Sequence, residues 1–285
     1  ISVARSKNLF QWFEGCPRNP IFSHRNLGMN YPVVYAGHGD LVDDGHGNWY
    51  VVMLASRPCE RHSSMGRETF LAKVTWENGW PVIAEGVGHL EKELEIPMKE
   101  IRLTEEVSAS DYIQFWDTKL DKRLVGIESV NEETYSLKER EGMLRLYNRK
   151  ERIAEKSNCA YLGVRQKSYQ FYAETGVEFE PVKEKETAGM VLYQNHANHL
   201  RMEIKRRNGK KCFAVTTCIQ GKEKIISEVQ MDDEKKFAKI RIQCDRQKAC
   251  VWIQTGEEWI ECAKEISLLP YTTEEAGGFV GCTIG

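Results

Sequence analysis

Two Asn-Gly dipeptides restrict the fold of this chain more strongly than any other part of its sequence. Residues 69–76 mix alternating polarity with β-branched side chains, and Asn78-Gly79 follows them directly. Asn-Gly suits a type I′ turn, in which both central residues have positive φ, so it predicts a hairpin. Asn208-Gly209 predicts a second hairpin. Because no helical period persists for three turns, the sequence predicts an all-β fold.

The second half of the chain repeats short, half-apolar stretches at close spacing. Alternating segments occur at 143–147, 171–179, 200–204, 238–243 and 250–254. Strands of this length, each with one apolar face, indicate a sandwich of two sheets. The charge-rich stretch that precedes them contains Pro97 and has no clean period, which is typical of a linker. We therefore predict one domain over 1–90, a linker over 91–109 and a β-sandwich over 110–285.

The charge balance argues against two classes of partner. The chain has 285 residues, with 40 basic and 42 acidic side chains and a net charge of −2. Nucleic acids and anionic membranes both require a basic surplus, so neither is expected as a partner. No apolar run approaches the ~20 residues that would span a bilayer. The sequence starts and stops inside strand-like runs, from which we expect a fragment of a longer protein.

Cysteine usage bears on metal sites and compartment. The nine cysteines are odd in number and include no CxxC pair, so the usual spacing of a zinc site is absent. We interpret them as reduced thiols in strands, which favours a cytoplasmic location while the compartment stays open.

Two glycine-flanked motifs carry the functional signal. Gly37-His38-Gly39 precedes one predicted strand, and Gly66-Arg67-Glu68 precedes another. The glycines beside His38 and the glycine before Arg67 let backbone or ligand approach closely. Several hydrogen-bond donors without bulky neighbours suit a pocket for a hydroxyl-rich ligand.

The order of these motifs resembles glycoside hydrolase family 43, the group of β-xylosidases and α-L-arabinofuranosidases. The run 36–82 resembles the last blade of that family's five-bladed β-propeller, and residues 3–7 and 16–25 resemble the segment before it. The segments 135–142, 188–193 and 279–281 resemble the concanavalin A-like β-sandwich, a jelly roll, that follows the propeller in larger members. The resemblance implies the end of a propeller followed by this sandwich.

The same resemblance implies an inverting, exo-acting glycoside hydrolase that uses xylo- or arabino-oligosaccharides from plant cell walls. Such an enzyme needs two carboxyl groups ~6.5–9.5 Å apart, one acid and one base. In the family these groups lie before the segment at which this chain starts. We therefore expect no catalytic residue within the chain and no activity from it alone. No cofactor is required, while a structural calcium ion and a homo-oligomer stay open.

Three residues are candidates for substrate binding on the family pattern. His38 would help to order the pocket near the propeller axis and could approach a central cation; the alternative is a core histidine satisfied by backbone. Arg67 would bind pentose hydroxyls; the alternative is a surface or salt-bridging arginine. Phe279 would narrow the pocket; the alternative is core packing. For Asp40 and Glu68, bracing of the blade is preferred over a catalytic pair.

A reading from a different class is also open. The sandwich could be a non-catalytic carbohydrate-binding module that tethers glycans. A free-standing module would not need the two glycine-flanked motifs, so the propeller blade separates the two hypotheses.

Overall fold

The computed structural model describes residues 1–97 and 112–285, and these form two compact units. The first comprises residues 1–61 and 67–97, and the second comprises 62–66 and 112–285. The predicted linker at 91–109 lies for the most part outside the described residues. None of the helices in the described ranges has the length and apolarity that crossing a bilayer would require. Strands dominate both units, so the prediction of an all-β chain is confirmed.

The first unit contains one four-stranded antiparallel sheet and a small two-stranded pair. Its sheet has the order β3-β4-β5-β6, which is the form of one propeller blade. Asn78 and Gly79 have φ angles of 53° and 74° and connect β5 to β6, as the predicted I′ turn requires. The strands of this unit are β1 (Ala4–Arg5), β2 (Glu14–Gly15), β3 (Val34–Asp43), β4 (Trp49–Ser56), β5 (Glu68–Glu77) and β6 (Trp80–Ile83), with a 3₁₀ turn at Arg25–Leu27.

One face of this sheet forms the core of the first unit. Alternate residues of β4, Val51, Met53 and Ala55, are buried together with Ala72 and Val74 of β5. The intervening residues face the other way, and several apolar ones are more than a third exposed: Val42, Val52 and Leu71. The described residues therefore cover one face of the blade and leave part of the other exposed.

The second unit is a sandwich of two antiparallel sheets with a small two-stranded pair. The larger sheet has the order β14-β13-β12-β11-β18-β9 and the smaller has the order β10-β15-β16-β17. The strands are β7 (Tyr135–Ser136), β8 (Arg145–Leu146), β9 (Val164–Arg165), β10 (Gln170–Glu178), β11 (Thr187–Asn195), β12 (Asn198–Arg207), β13 (Lys210–Ile219), β14 (Lys222–Gln230), β15 (Phe237–Asp245), β16 (Lys248–Gln254), β17 (Ile260–Ser267) and β18 (Thr283–Ile284). A helix α1 (Thr273–Ala276) and 3₁₀ turns at Glu132–Thr134 and Leu269–Tyr271 complete the unit.

The sandwich core lies between the two sheets. Leu200 and Met202 of β12 pack with Ile240 and Ile242 of β15, and all four are fully buried. Burial of a Leu or Ile side chain contributes roughly 1.5–3 kcal/mol each. The apolar residues whose alternation predicted these strands are thus the residues that form this core.

The opposite face of the larger sheet is also covered. Ile127, Cys159 and Tyr161 form a second cluster that packs against Val191 and Tyr193 of β11. Polar residues on that face are buried as a result, among them His199 and Glu203 of β12 and Cys218 of β13.

Candidate functional site

His38 lies within β3, at a point where the strand is irregular. Val34 pairs with Ser56, Gly37 with Leu54 and Asp40 with Val52, so β3 twice uses three residues where β4 uses two. Each interval contains one residue in the left-handed region, Tyr35 at φ 57° and His38 at φ 54°. Bulges of this kind bend a strand and redirect a side chain.

The conformation of His38 is strained and its side chain is exposed. A residue other than glycine in the left-handed region costs ~1–3 kcal/mol, and such residues are common at functional sites. Among the described residues none covers the imidazole of His38. The strand therefore holds an imidazole outward at an energetic cost, which fits a ligand-facing role.

The two glycines beside His38 have different surroundings. A Cβ on Gly39 would lie 2.9 Å from Cγ2 of Val51 and 3.0 Å from Cδ1 of Ile1, so a larger residue there would require these side chains to shift. Around Gly37 there is open space within 4 Å of the position of a Cβ. Close approach thus explains Gly39, while packing places no requirement on Gly37.

Arg67 directly precedes β5, at the end of the sheet where β4 finishes. Ala55 pairs with Glu68 and Leu54 pairs with both Gly37 and Thr69, which places His38 and Arg67 on the two strands that flank β4, toward the same end. Arg67 is half-buried, and its Nε atom is shielded from solvent. The sheet therefore places an imidazole and a guanidinium toward the same end of its strands.

Glu68 is held by an arginine. Arg57 donates from Nε to Oε2 at 2.8 Å and from Nη2 to Oε1 at 2.6 Å, so both carboxylate oxygens of Glu68 are bound. This two-pronged pair links the end of β4 to the start of β5, which is the bracing role expected for Glu68. Asp40 is exposed on β3.

The turn after β3 uses its carboxylates structurally. Asp44 accepts hydrogen bonds from the backbone of His46 and from the backbone and side chain of Asn48, and the Asn48 side chain at 2.6 Å contributes most to lowering the pKa of Asp44.

Residues 62–66, which immediately precede Arg67 in the chain, belong to the second unit. The carboxylate of Glu274 accepts hydrogen bonds from the Ser63 backbone N at 2.7 Å and from its hydroxyl at 3.0 Å. The backbone N of Cys282 donates to Ser64 O at 2.8 Å. At the end of the segment, a Cβ on Gly66 would overlap the backbone N of Gly281. The sequence interpretation did not anticipate this docking, for which the small residues Ser63, Ser64 and Gly66 were the only local signal.

Phe279 lies in the loop that follows α1. Gly277 and Gly278 have φ angles of 77° and 74°, so two successive glycines turn the chain as the motif suggested. Gln194 Nε2 donates to Gly277 O at 3.1 Å and ties this loop to β11. The Phe279 side chain is 52% exposed, which contradicts the alternative of core packing.

Comparisons with known proteins agree with this architecture. The family model described as "Glycosyl hydrolases family 43" matches residues 1–81, and the model described as "Beta xylosidase C-terminal Concanavalin A-like domain" matches residues 113–285. A protein of Butyrivibrio fibrisolvens named xylosidase/arabinosidase is 52% identical over 285 residues, which are 100% of this chain and 55% of that protein. A non-reducing end α-L-arabinofuranosidase of Bacteroides ovatus is 30% identical over 222 residues, 77% of this chain and 41% of that protein.

Solved structures give the same picture. The Bacteroides ovatus xyloglucan-locus GH43B structure superposes with a TM-score of 0.86 at 27% identity, covering 99% of this chain and 55% of that one. A xylan β-1,4-xylosidase from Bacillus halodurans superposes with a TM-score of 0.88 at 24% identity over 100% of this chain and 55% of that one, which shows a shared fold. The chain spans about half the length of the curated relatives it matches.

Proposed function

The chain belongs to glycoside hydrolase family 43, whose C-terminal concanavalin A-like domain it carries, and we propose that the whole protein releases xylose or arabinofuranose from the ends of plant cell-wall oligosaccharides. The observation that carries the proposal is the 52% identity over all 285 residues to a protein named xylosidase/arabinosidase. The family 43 match over residues 1–81 supports a catalytic protein over a free-standing binding module.

In the proposed mechanism, an acid and a base located before residue 1 cleave the glycosidic bond with inversion, and water is the nucleophile. Such hydrolysis needs carboxyl groups and water, so the proposal requires no cofactor. The residues of this chain bind and orient the sugar. They would act by holding the anomeric carbon in line with the attacking water.

Arg67 is proposed to bind pentose hydroxyls. The planar guanidinium of Arg67 carries several donors and can hydrogen-bond two adjacent hydroxyl groups. Because Arg67 directly precedes β5, the strand fixes the position of its backbone. A charged donor near the site would also favour the ionised form of a nearby carboxylate base.

His38 is proposed to order the pocket from the bulged part of β3. Phe279 is proposed to supply an apolar ring against the face of a sugar, because aromatic side chains combine large contact area with few rotatable bonds. The exposed ring and the glycine pair before it support this role.

The test is Arg67→Ala in the whole protein, assayed on aryl xyloside and aryl arabinofuranoside. Loss of a charged hydrogen bond of ~1.5–3 kcal/mol predicts a fall in kcat/KM of about 10- to 150-fold. Arg25→Ala is the matched control, since Arg25 is exposed in the 3₁₀ turn of the same unit. Wild-type kinetics in Arg67→Ala would remove Arg67 from the candidate site, and a lowered melting temperature in that variant would assign it a structural role instead. Oligosaccharide binding without hydrolysis by the whole wild-type protein would favour the binding-module alternative.

A further inference from the structure

Three potential metal ligands lie in one row across the larger sheet of the second unit. His199 of β12 is directly opposite Cys218 of β13, and Cys218 is directly opposite Glu223 of β14. Directly opposed residues of antiparallel strands present their side chains on the same face. One imidazole nitrogen, the thiol sulfur and one carboxylate oxygen consequently lie within 4.8 Å of one another.

The imidazole of His199 is oriented for ligation. Its Nδ1 lies 3.3 Å from the carbonyl O of Asn195, and a carbonyl can only accept, so the ring proton is on Nδ1. Nε2 then carries the lone pair. His199 is fully buried, and among the described residues none hydrogen-bonds to Nε2. The ring is held in place by Tyr193, which stacks on it at 6.1 Å between centroids. A backbone acceptor on one nitrogen and a free lone pair on the other is the usual arrangement of a metal-binding histidine.

The thiol and the carboxylate complete a mixed set of ligands. Cys218 is fully buried, and its thiol lies 3.4 Å from the carbonyl O of Ala197. Arg201 donates from Nη1 and Nη2 to the two oxygens of Glu223, each at 2.9 Å. Each carboxylate oxygen keeps a second lone pair, so Arg201 can orient Glu223 while a metal uses the other side. Glu203, 3.6 Å from Arg201, offsets part of the positive charge that this arginine brings.

The combination of sulfur, nitrogen and oxygen ligands selects the metal. Calcium and magnesium prefer oxygen ligands alone, whereas zinc accepts Cys, His and carboxylate at ~2.0–2.3 Å in a tetrahedral arrangement. We infer that His199, Cys218 and Glu223 bind one zinc ion, with water in the fourth position on the side where Glu223 meets solvent. Binding converts the Cys218 thiol to a thiolate, so one proton is released for each Zn²⁺ taken up. The ion would link three neighbouring strands, a role separate from sugar hydrolysis.

The test uses the 285-residue chain, purified with a tag that contains no histidine, stripped of metal with a chelator and then freed of the chelator. Titration with zinc chloride alone should show one zinc per chain, release of one proton and a rise in Tm. Cobalt(II) in place of zinc should show a thiolate-to-metal charge-transfer band. Wild-type chain that is folded and binds no stoichiometric zinc would overturn the inference.

Variants separate this site from other thiols. Cys218→Ala should abolish stoichiometric binding, while Cys212→Ala should keep it, because Cys212 is a second buried cysteine of β13 that lies opposite Lys205 rather than His199. If Cys218→Ala does not fold, Glu223→Gln serves instead, since Glu223 is exposed at the sheet edge and its loss should weaken zinc binding at least about tenfold. Unchanged affinity in Cys218→Ala or Glu223→Gln, or equal loss in Cys212→Ala, would refute the assignment.

Discussion

The four-stranded sheet of the first unit and the six-stranded sheet of the second differ in the regularity of their strand pairing and in how far their faces are buried. Strands β12 and β13 pair without interruption from His199 to Arg207, and both faces of their sheet are packed. Strand β3 instead bulges twice within seven residues and holds two residues in the left-handed region. One face of its sheet remains partly exposed among the described residues, at Val42, Val52 and Leu71. The irregular sheet carries His38 and Arg67, and the regular one carries most of the buried core.

The comparison teaches that the proposed binding residues and most of the buried core lie in different sheets of this chain. A regular ladder satisfies every backbone group, but it can direct side chains only straight out of the sheet. Bulges allow other directions at the cost of strain and lost pairing.

Truncation of a core residue should separate the two sheets most clearly. Leu200→Ala, in the fully buried core of the sandwich, should lower the free energy of unfolding by about 2–5 kcal/mol. Val52→Ala, on the open face of β4 where Val52 is 37% exposed, should lower it by less than about 1 kcal/mol. Urea unfolding of the 285-residue chain measures both. Equal losses would mean that the open face is covered in solution.

Gly66 should behave as part of the sandwich although it lies between two strands of the blade. A Cβ there would overlap backbone of Gly281 and lie 2.6 Å from the carbonyl C of Val280, so Gly66→Ala should cost about 3 kcal/mol or more. Gly277→Ala is the matched control: its φ is 77°, like the 69° of Gly66, but open space surrounds the position of a Cβ. It should cost only the ~1–2 kcal/mol of the left-handed conformation. Thermal unfolding followed by near-ultraviolet circular dichroism distinguishes them, and equal shifts would contradict the close approach.

Relief of strain at His38 should exchange function for stability. Glycine adopts a φ of 54° freely, so His38→Gly should raise the free energy of unfolding by about 1 kcal/mol. In the whole protein the same change should lower kcat/KM, because the imidazole is lost. Tyr35→Gly is the control at the neighbouring bulge. Unaltered kinetics in His38→Gly would remove His38 from the candidate site.

His24 should make the stability of the first unit depend on pH. Its Nε2 accepts from the Leu90 backbone N at 2.9 Å, and its Nδ1 contacts Val33 O at 2.8 Å, so both nitrogens are satisfied only in the neutral ring. Burial is the main cause that lowers the pKa of His24 from its usual 6.5, and nearby His89 adds to it. The neutral form therefore stabilises the fold above about pH 6.5, and this contribution is lost as the pH falls.

The corresponding measurement is urea unfolding at pH 7.5 and 5.5. The slope contributed by His24 should not exceed about 1.4 kcal/mol per pH unit, the limit for one proton. His24→Gln should flatten the dependence, while His46→Asn, in an exposed turn, should leave it unchanged. A slope in His24→Gln that equals the wild-type slope would show that another group is responsible.

Local pattern predicted much of this fold, and long-range contacts account for what it missed. The Asn208-Gly209 turn fixes the pairing of Arg207 with Lys210, and counting outward from that pair places His199 opposite Cys218. That register was therefore readable from the sequence, whereas the spacing of the cysteines alone gives no sign that Cys218 lies opposite a histidine. The turn at Gln220-Gly221, with φ angles of 49° and 76°, has the same form without the Asn that usually marks it.

The residues of the candidate site stay a prediction, and the backbone conformation that carries them was not predicted. Glycines around His38 suggested close approach of backbone or ligand, whereas the atoms that approach Gly39 belong to the side chains of Val51 and Ile1. The two bulges of β3 were not predicted, because Tyr35 has no preference for positive φ and only the pairing with β4 imposes it. Docking of residues 62–66 on α1 depends on partners more than 200 positions away, which no local pattern encodes.

That docking has a consequence for how the protein is made. Ser63 leaves the ribosome 211 positions before its partner Glu274. At the usual 5–20 residues per second, the delay is about 10–40 s. Strands β4 and β5 can form their hairpin during this time, but the loop that joins them must wait until Glu274 has been made before its backbone groups find their partners. The tip of an early hairpin thus settles only after the sandwich strands β9 to β17 have been synthesised.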